Sequence, residues 1–276
     1  RFCERYWPEG VTPPKVSAGG DGQDHPSTQG ALRALGGESQ GHYCADITPE
    51  QTLRARAAYF ACVDHLDEII GDFLALLERD GLLDNTIVVY TSDHGELGGE
   101  HGLWWKQTWH EASARVPLII STPAHRRGEE DPVVVDDPVS LGDLFPTLCG
   151  LAGAPTPDGL DGADLSPVLR GEACPALAER PGVFVENLNP HAGAGTEYRL
   201  IRSARYKYIA FNECDDLAFD MLEDPDEQRN LMGRAQGELA DELAQLRSAI
   251  YADFAFPEAM ESLRRERAEF VRRFPS

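Results

Sequence analysis

Thr86-Ile87-Val88-Val89-Tyr90-Thr91-Ser92-Asp93-His94-Gly95-Glu96 is the stretch on which the fold turns. Its first six residues are all β-branched or aromatic, with no polar alternation. That pattern suits a strand buried on both faces of a parallel sheet. The polar residues come immediately afterwards. In open α/β sheets ligands bind at the carboxyl ends of strands, where loops carry polar groups without disturbing the ladder. Asp93 and His94 offer an anionic oxygen and an imidazole nitrogen, two donors suited to a divalent metal. Taken alone, the pair is equally compatible with an Asp that caps a turn beside a surface His.

Upstream, a long helix is expected to start at Thr48. Pro49 suits the first helical position and Gln51 completes a capping box. Leu53, Ala57, Phe60, Val63, Leu66, Ile70, Phe73, Leu74 and Leu77 recur at helical spacing, and Gly81 stops the run. Cys62 and Cys149 read as small core residues, and Asp64 and Asp67 as the helix's solvated or packing face. Residues 1 to about 47 lack a regular pattern and read as an extended surface segment. Downstream, Val116-Pro117-Leu118-Ile119-Ile120-Ser121 is a second buried strand, and a helix follows over 141–151 with Pro146 marking a kink or break. Beyond residue 155 the pattern changes to short strands at 183–185, 198–202 and 206–211, the last two joined as a hairpin. Polar amphipathic helices follow near 236–253 and 257–273. Helices around a sheet, then a hairpin-rich tail, define an α/β fold with a small α+β appendage, divided into 1–154 and 155–276.

The 276 residues are 42% hydrophobic, enough for a sizeable core, and carry a formal net charge of -22. So acidic a surface repels nucleic acid and anionic membranes, and neither is an expected partner. An anionic substrate would need a local cation to reverse the field. Lysine is confined to Lys15, Lys106 and Lys207. The six cysteines include no Cys-x-x-Cys pair, so neither a zinc ribbon nor a thioredoxin-type site is indicated.

The next segment is unusual. Gly98-Gly99-Glu100-His101-Gly102-Leu103-Trp104-Trp105-Lys106 leads to Trp109-His110-Glu111-Ala112-Ser113-Ala114-Arg115-Val116-Pro117-Leu118. Aromatic walls with few polar groups, in a glycine-bearing loop, suit a binding site. Together with the Asp93-His94 segment, these runs resemble the C-terminal signature of the sulfatase family, its choline-sulfatase-like and iduronate-sulfatase-like members above all. Arg205-Tyr206-Lys207-Tyr208 resembles the family's last hairpin, and Glu223-Asp224-Pro225-Asp226-Glu227-Gln228-Arg229-Asn230-Leu231 its closing motif. The similarity covers roughly residues 49 to 235.

The resemblance implies an alkaline-phosphatase-like sheet flanked by helices, its N-terminal strands missing here, with a small C-terminal antiparallel subdomain. It implies a sulfuric ester hydrolase acting on a small anionic sulfate ester. Asp93 and His94 would be two metal ligands, and Lys106 the cation on the sulfate. The metal would be one divalent ion, Ca²⁺ first, with Mn²⁺ or Zn²⁺ left open by the His. His101 and His110 are candidate substrate-binding residues, with loop orientation the other reading of His101 and a surface position that of His110. The tryptophans read as packing, and Arg115 as half of a structural ion pair. The family's nucleophile is a formylglycine made in a Cys/Ser-x-Pro/Ala-x-Arg motif, and no cysteine here has that context. The family's N-terminal Asp pair and Pro-His-x-Pro histidine are absent on the same side. The chain therefore reads as the C-terminal portion of a longer enzyme and is expected to be inactive alone. A phosphonate monoester or phosphodiester hydrolase of the same superfamily is the alternative within catalysis. A non-catalytic sulfatase-like binding protein is the alternative outside it.

Overall fold

Thr48 caps the longest helix as its sequence requires. Its side-chain oxygen accepts from the Gln51 backbone N–H at 3.2 Å, and Gln51 Oε1 accepts from the Thr48 N–H at 2.7 Å. The computed structural model describes residues 2–35, 47–189 and 192–274. Two short helices, α1 (Phe2–Tyr6) and α2 (Pro26–Leu35), come before this long α3 (Pro49–Arg79). The early chain is therefore not the plain extended segment that its glycines and prolines suggest; residues 36–46 of it, with Cys44, lie outside the described residues. What orders it is contact with α3 and the interior. Arg5 and Tyr6 both donate to Asp64, and the Tyr6 ring lies 5.5 Å from that of Phe60. Val11, Val16, His25, Ser27 and Thr28 are buried.

Helix α3 ends at Asp80, and Gly81 follows at φ +67°, a left-handed turn that glycine adopts without strain. Of its apolar residues only Ala57 and Ala61 are buried. Tyr59, Val63, Leu66, Ile69, Phe73 and Leu76 are all at least 41% exposed. Cys62 is exposed and Cys149 half-buried, so neither is the core residue that its apolar neighbours suggest.

Strand β1 (Val88–Thr91) leads to the short α4 (Glu111–Ala114) and then to β2 (Leu118–Ser121). The two strands pair antiparallel, Val88 opposite Ser121 and Thr91 opposite Leu118. This corrects the expectation of a parallel strand buried on both faces. A parallel neighbour needs a crossover that returns the chain to its starting end. Here residues 92–117 turn back on the strand's own carboxyl end instead. Every residue of β1 is half-buried.

After α5 (Pro123–Arg126), a 3-10 turn at Leu141–Asp143 leads into α6 (Leu144–Ala152). The break thus falls at Asp143, and Pro146 sits in the first turn of α6, where its missing N–H is harmless. Two single-turn helices, α7 (Ser166–Leu169) and α8 (Pro175–Ala178), precede the second sheet. Its strands β3 (Val183–Asn187), β4 (Tyr198–Arg202), β5 (Tyr206–Phe211) and β6 (Leu217–Asp220) form an antiparallel meander in sequence order. Strand β6 is an addition to the strands expected. Helices α9 (Glu238–Ile250) and α10 (Phe256–Arg273) close the chain.

The meander is buried on both faces. Ile201, Tyr208, Ala210 and Ala218 meet Leu243, Leu246 and Ile250 of α9. On the other face Leu200, Ile209, Phe211 and Phe219 meet Trp109, from the segment just before α4. Lys207 shares that second face by strand alternation and has no exposed side-chain surface. Its Nζ donates to Glu227 Oε1 at 2.7 Å and to Glu111 Oε1 at 3.0 Å, while Glu227 Oε2 accepts from the Glu111 backbone N–H at 2.7 Å. One cation thus ties α4 to the meander and to the 223–231 turn. Replacing Lys207 by Met leaves two carboxylates in the interior without their cation. We expect a loss of about 3–5 kcal/mol in urea-unfolding stability, as for other broken buried pairs. Adding Glu111→Gln and Glu227→Gln should recover part of it.

Candidate active site

The site is built where β1 ends. His94 Nδ1–H donates to its neighbour's carbonyl, Gly95 O, at 2.8 Å. With the proton on Nδ1, Nε2 carries the lone pair, and Lys106 Nζ donates to it at 2.7 Å. A backbone carbonyl on one ring nitrogen is the arrangement that orients metal-binding histidines and fixes their tautomer. Asp93 Oδ1 accepts from the His94 backbone N–H at 3.0 Å, and Oδ2 lies 3.5 Å from His94 Nε2. Loss of hydration raises the Asp93 carboxyl, but backbone N–H bonds and the ammonium of Lys106 outweigh it. The carboxyl is held below its ordinary value. One oxygen and one nitrogen donor therefore share a side of the loop, beside a single ammonium. Among the described residues no cluster of three or more His, Cys, Asp or Glu could hold a metal ion, and Asp93 and His94 are two donors of the kinds that divalent metals take.

Two devices hold this grouping. The first is the 96–105 loop. Glu96 Oε1 accepts from the backbone N–H of Gly98 at 3.0 Å and of Trp105 at 2.8 Å. Arg56 from α3 donates to Gly98 O at 2.7 Å and pairs with Glu100 at 3.2 Å. Lys106 sits between Trp105 at φ +73° and Gln107 at φ +70°, a conformation that costs non-glycine residues of order 1–3 kcal/mol each. The strain is sustained by surrounding bonds, among them Asn187 Nδ2 donating to Gln107 O at 3.1 Å. The second device is close backbone contact. Gly95 N–H donates to Ser113 O at 2.8 Å, and a Cβ on Gly95 would fall 2.1 Å from Ala112 O. Helix α4, fixed by Lys207, thus lies directly against the loop that carries Asp93 and His94.

Of the candidate residues, Asp93, His94 and Lys106 come together, while His101 and His110 lie elsewhere. His110 is 2% exposed, and its ring lies 3.7 Å from Trp109 and 4.2 Å from His101. His101 is buried too, at φ +56°, with its backbone N–H on Val16 O at 2.9 Å. Both belong to the packing beneath the loop. Trp109 is buried and donates from Nε1 to Ser27 Oγ at 3.1 Å, whereas Trp105 is 44% exposed. Arg115 is exposed and makes no ion pair among the described residues, contrary to expectation. Glu111, Lys207 and Glu227 were not legible as a unit. Each stood in a separate motif, and only the rarity of lysine pointed toward one of them.

Trp104 and Trp105 also line a groove of about 610 Å³, together with Arg56, Tyr59, Phe60 and Glu96. It opens between α3 and the loop that carries Lys106.

The mixed α/β fold, with helices around antiparallel sheets, matches the alkaline-phosphatase-like architecture. The chain belongs to the sulfatase family, whose sequence model matches residues 13–154. The model for the C-terminal region of N-sulphoglucosamine sulphohydrolase matches residues 99–252. The chain is 32% identical over 213 residues to arylsulfatase K of Xenopus laevis, covering 75% of this chain and 39% of that protein. It is 34% identical over 197 residues to choline-sulfatase of Rhizobium meliloti, covering 70% of this chain and 36% of that one. Among solved structures, phosphonate monoester hydrolase from Silicibacter pomeroyi superposes with a TM-score of 0.74 at 28% identity, covering 90% of this chain and 51% of its own. The chain therefore spans well under half the length of these curated relatives and about half of that solved structure.

His25, His101 and His110 all surround Trp109 or the loop above it, and burial lowers the pKa of each, that of His110 well below its ordinary value. Unfolding lets all three take up protons near pH ~6.5. Stability is therefore full above that value and falls as pH drops toward the folded-state values, by up to about 1.4 kcal/mol per pH unit for each histidine. Urea titrations between pH 7.5 and pH 5 check this, and His110→Gln should flatten the slope.

Proposed function

We propose that this chain supplies the metal-binding and sulfate-binding half of a sulfuric ester hydrolase. The observation that carries this reading is the Lys106 Nζ–His94 Nε2–Asp93 grouping, with the histidine tautomer set by Gly95 O. Asp93 and His94 would hold one divalent ion, Ca²⁺ by family likeness, with Mn²⁺ or Zn²⁺ the better matches to a nitrogen donor. When bound, that ion supplies a Lewis acid for an ester oxygen. Lys106, whose Nζ donates to the His94 Nε2 lone pair that the ion would take, would turn to the sulfate oxygens once the ion is bound, and these gain charge as the ester bond lengthens. The strained backbone on either side of Lys106 would keep its ammonium at the site against a net charge of -22. The nucleophile, a formylglycine by family likeness, and the remaining ligands would come from polypeptide outside this chain. The substrate would be a small anionic sulfate ester, and the groove walled by Trp104 and Trp105 would lie beside it. We also propose that residues 1–154 contribute to the catalytic α/β unit and 155–276 form a linker and a small subdomain.

The similarity to a phosphonate monoester hydrolase favours a second reading, in which the same grouping serves a phosphonate or phosphodiester. The chain alone should show no turnover of an aryl sulfate. In the protein completed with its nucleophile-bearing part, Lys106→Ala should lower kcat by about 10²–10³-fold, as loss of an oxyanion contact does elsewhere. Rates on an aryl sulfate and on a phenyl phosphonate ester, measured side by side, decide between the readings. A faster phosphonate reaction would replace the first with the second, and turnover by the chain alone would refute the half-site.

A further inference from the structure

Helix α10 leaves the body of the molecule. Phe256 is buried, with its ring 5.0 Å from that of Phe254, and Ala259 and Met260 are half-buried. From Glu261 to Phe274 every residue is exposed. The 18 residues make a helix about 27 Å long. At ~100° per residue, Met260, Leu263, Arg267, Phe270, Val271 and Phe274 share one narrow stripe. Leu263 is 38% exposed, Phe270 63%, Val271 59% and Phe274 59%. Helix α9, of similar composition, shows the partnered case, with Leu243, Leu246 and Ile250 buried against the meander. Both family matches end before α10, at residues 154 and 252.

The charges around the stripe identify what covers it. Glu258 and Glu261 stand at the start of α10, and Arg272 and Arg273 at its end. Glu261 also pairs within the helix, at 3.0 Å from Arg265 and 3.8 Å from Arg264. From Phe256 to Phe274 there are five Arg and four Glu, so this segment is close to neutral on a chain of net charge -22. We propose that α10 is a self-association surface, which pairs antiparallel with α10 of a second copy of this chain. Antiparallel pairing sets each acidic end against a basic end and opposes the two helix dipoles. It brings Phe270 of one copy beside Met260 of the other, about the Leu263–Arg267 centre. A parallel pair would set Glu against Glu and Arg against Arg. Arg267 lays its stem on Leu263 of the second copy with its head in water, and a charge on the seam selects one register.

Sedimentation velocity of the full chain, from about 1 to 100 µM, tests this pairing. The chain should sediment as a dimer in the upper part of that range. Phe270→Glu should weaken association at least about tenfold, and so should Arg272→Glu/Arg273→Glu or Glu258→Arg/Glu261→Arg. The two charge variants, mixed in equal amounts, should associate again. Circular dichroism confirms that each variant keeps its helix content. A chain that stays monomeric throughout overturns the proposal. So does association that ignores the α10 substitutions, which would place the contact on another surface such as the exposed row of α3.

Discussion

The structure hangs on an ammonium with no access to water. Lys207 lies between Glu227 and Glu111, and the three residues come from three distant parts of the chain. Burying a charge is unfavourable unless it is paired and hydrogen-bonded, so the cluster forms only when all three segments are in place together. Burial raises the Glu227 carboxyl, while Lys207 and nearby arginines outweigh burial at Glu111 and lower it. The two carboxylates are thus unequal. Glu227 is deeply enclosed and held by one cation, whereas Glu111 also feels Arg202 and Arg115. Such a cluster adds little net stability compared with apolar packing, but it tolerates no misplacement of its members.

That intolerance is what connects the meander to the strand-end loop. Glu111 opens α4, α4 sets Ala112 O against Gly95, and Gly95 O accepts from His94 Nδ1–H. Each contact is short and involves backbone or a buried ion pair, so little slack accumulates between Lys207 and His94. Trp109 supports the same segment from below by filling the meander's second face. The C-terminal sheet thus acts as the jig for the Asp93, His94 and Lys106 grouping, to which it contributes no side chain. Positioning at this level of accuracy is what a preorganised electrostatic site requires.

How much of this was legible follows from the range of the interactions. The capping box at Thr48, the stop at Gly81, the hairpin at 203–205 and the strand at 198–202 are local, and each is present as read. Asp93, His94 and Lys106 could be singled out because they stand in short motifs after one strand, and the structure brings their side chains together. The direction of pairing of β1 and β2 was misread, because an apolar run reports burial and not the path of the connecting loop. His101 and His110 carried two readings each, because a histidine's type does not report its burial; His110 stacks on Trp109 and His101 on His110, and both rings lie in the interior. The ion cluster was hidden because no single motif contains two of its members.

Helix α3 shows the reverse situation, in which sequence and structure agree on periodicity but not on burial. Its apolar positions recur as a core-facing helix should, yet Val63, Leu66 and Phe73 stand exposed and only Ala57 and Ala61 are covered. Ile119 on β2 is likewise 61% exposed. Apolar surface on this scale is not tolerated by a helix whose polar face could have turned outward instead. On the proposed reading, polypeptide that adds donors beside Asp93 and His94 would also cover the outward row of α3, so metal affinity and burial of α3 should rise together rather than separately.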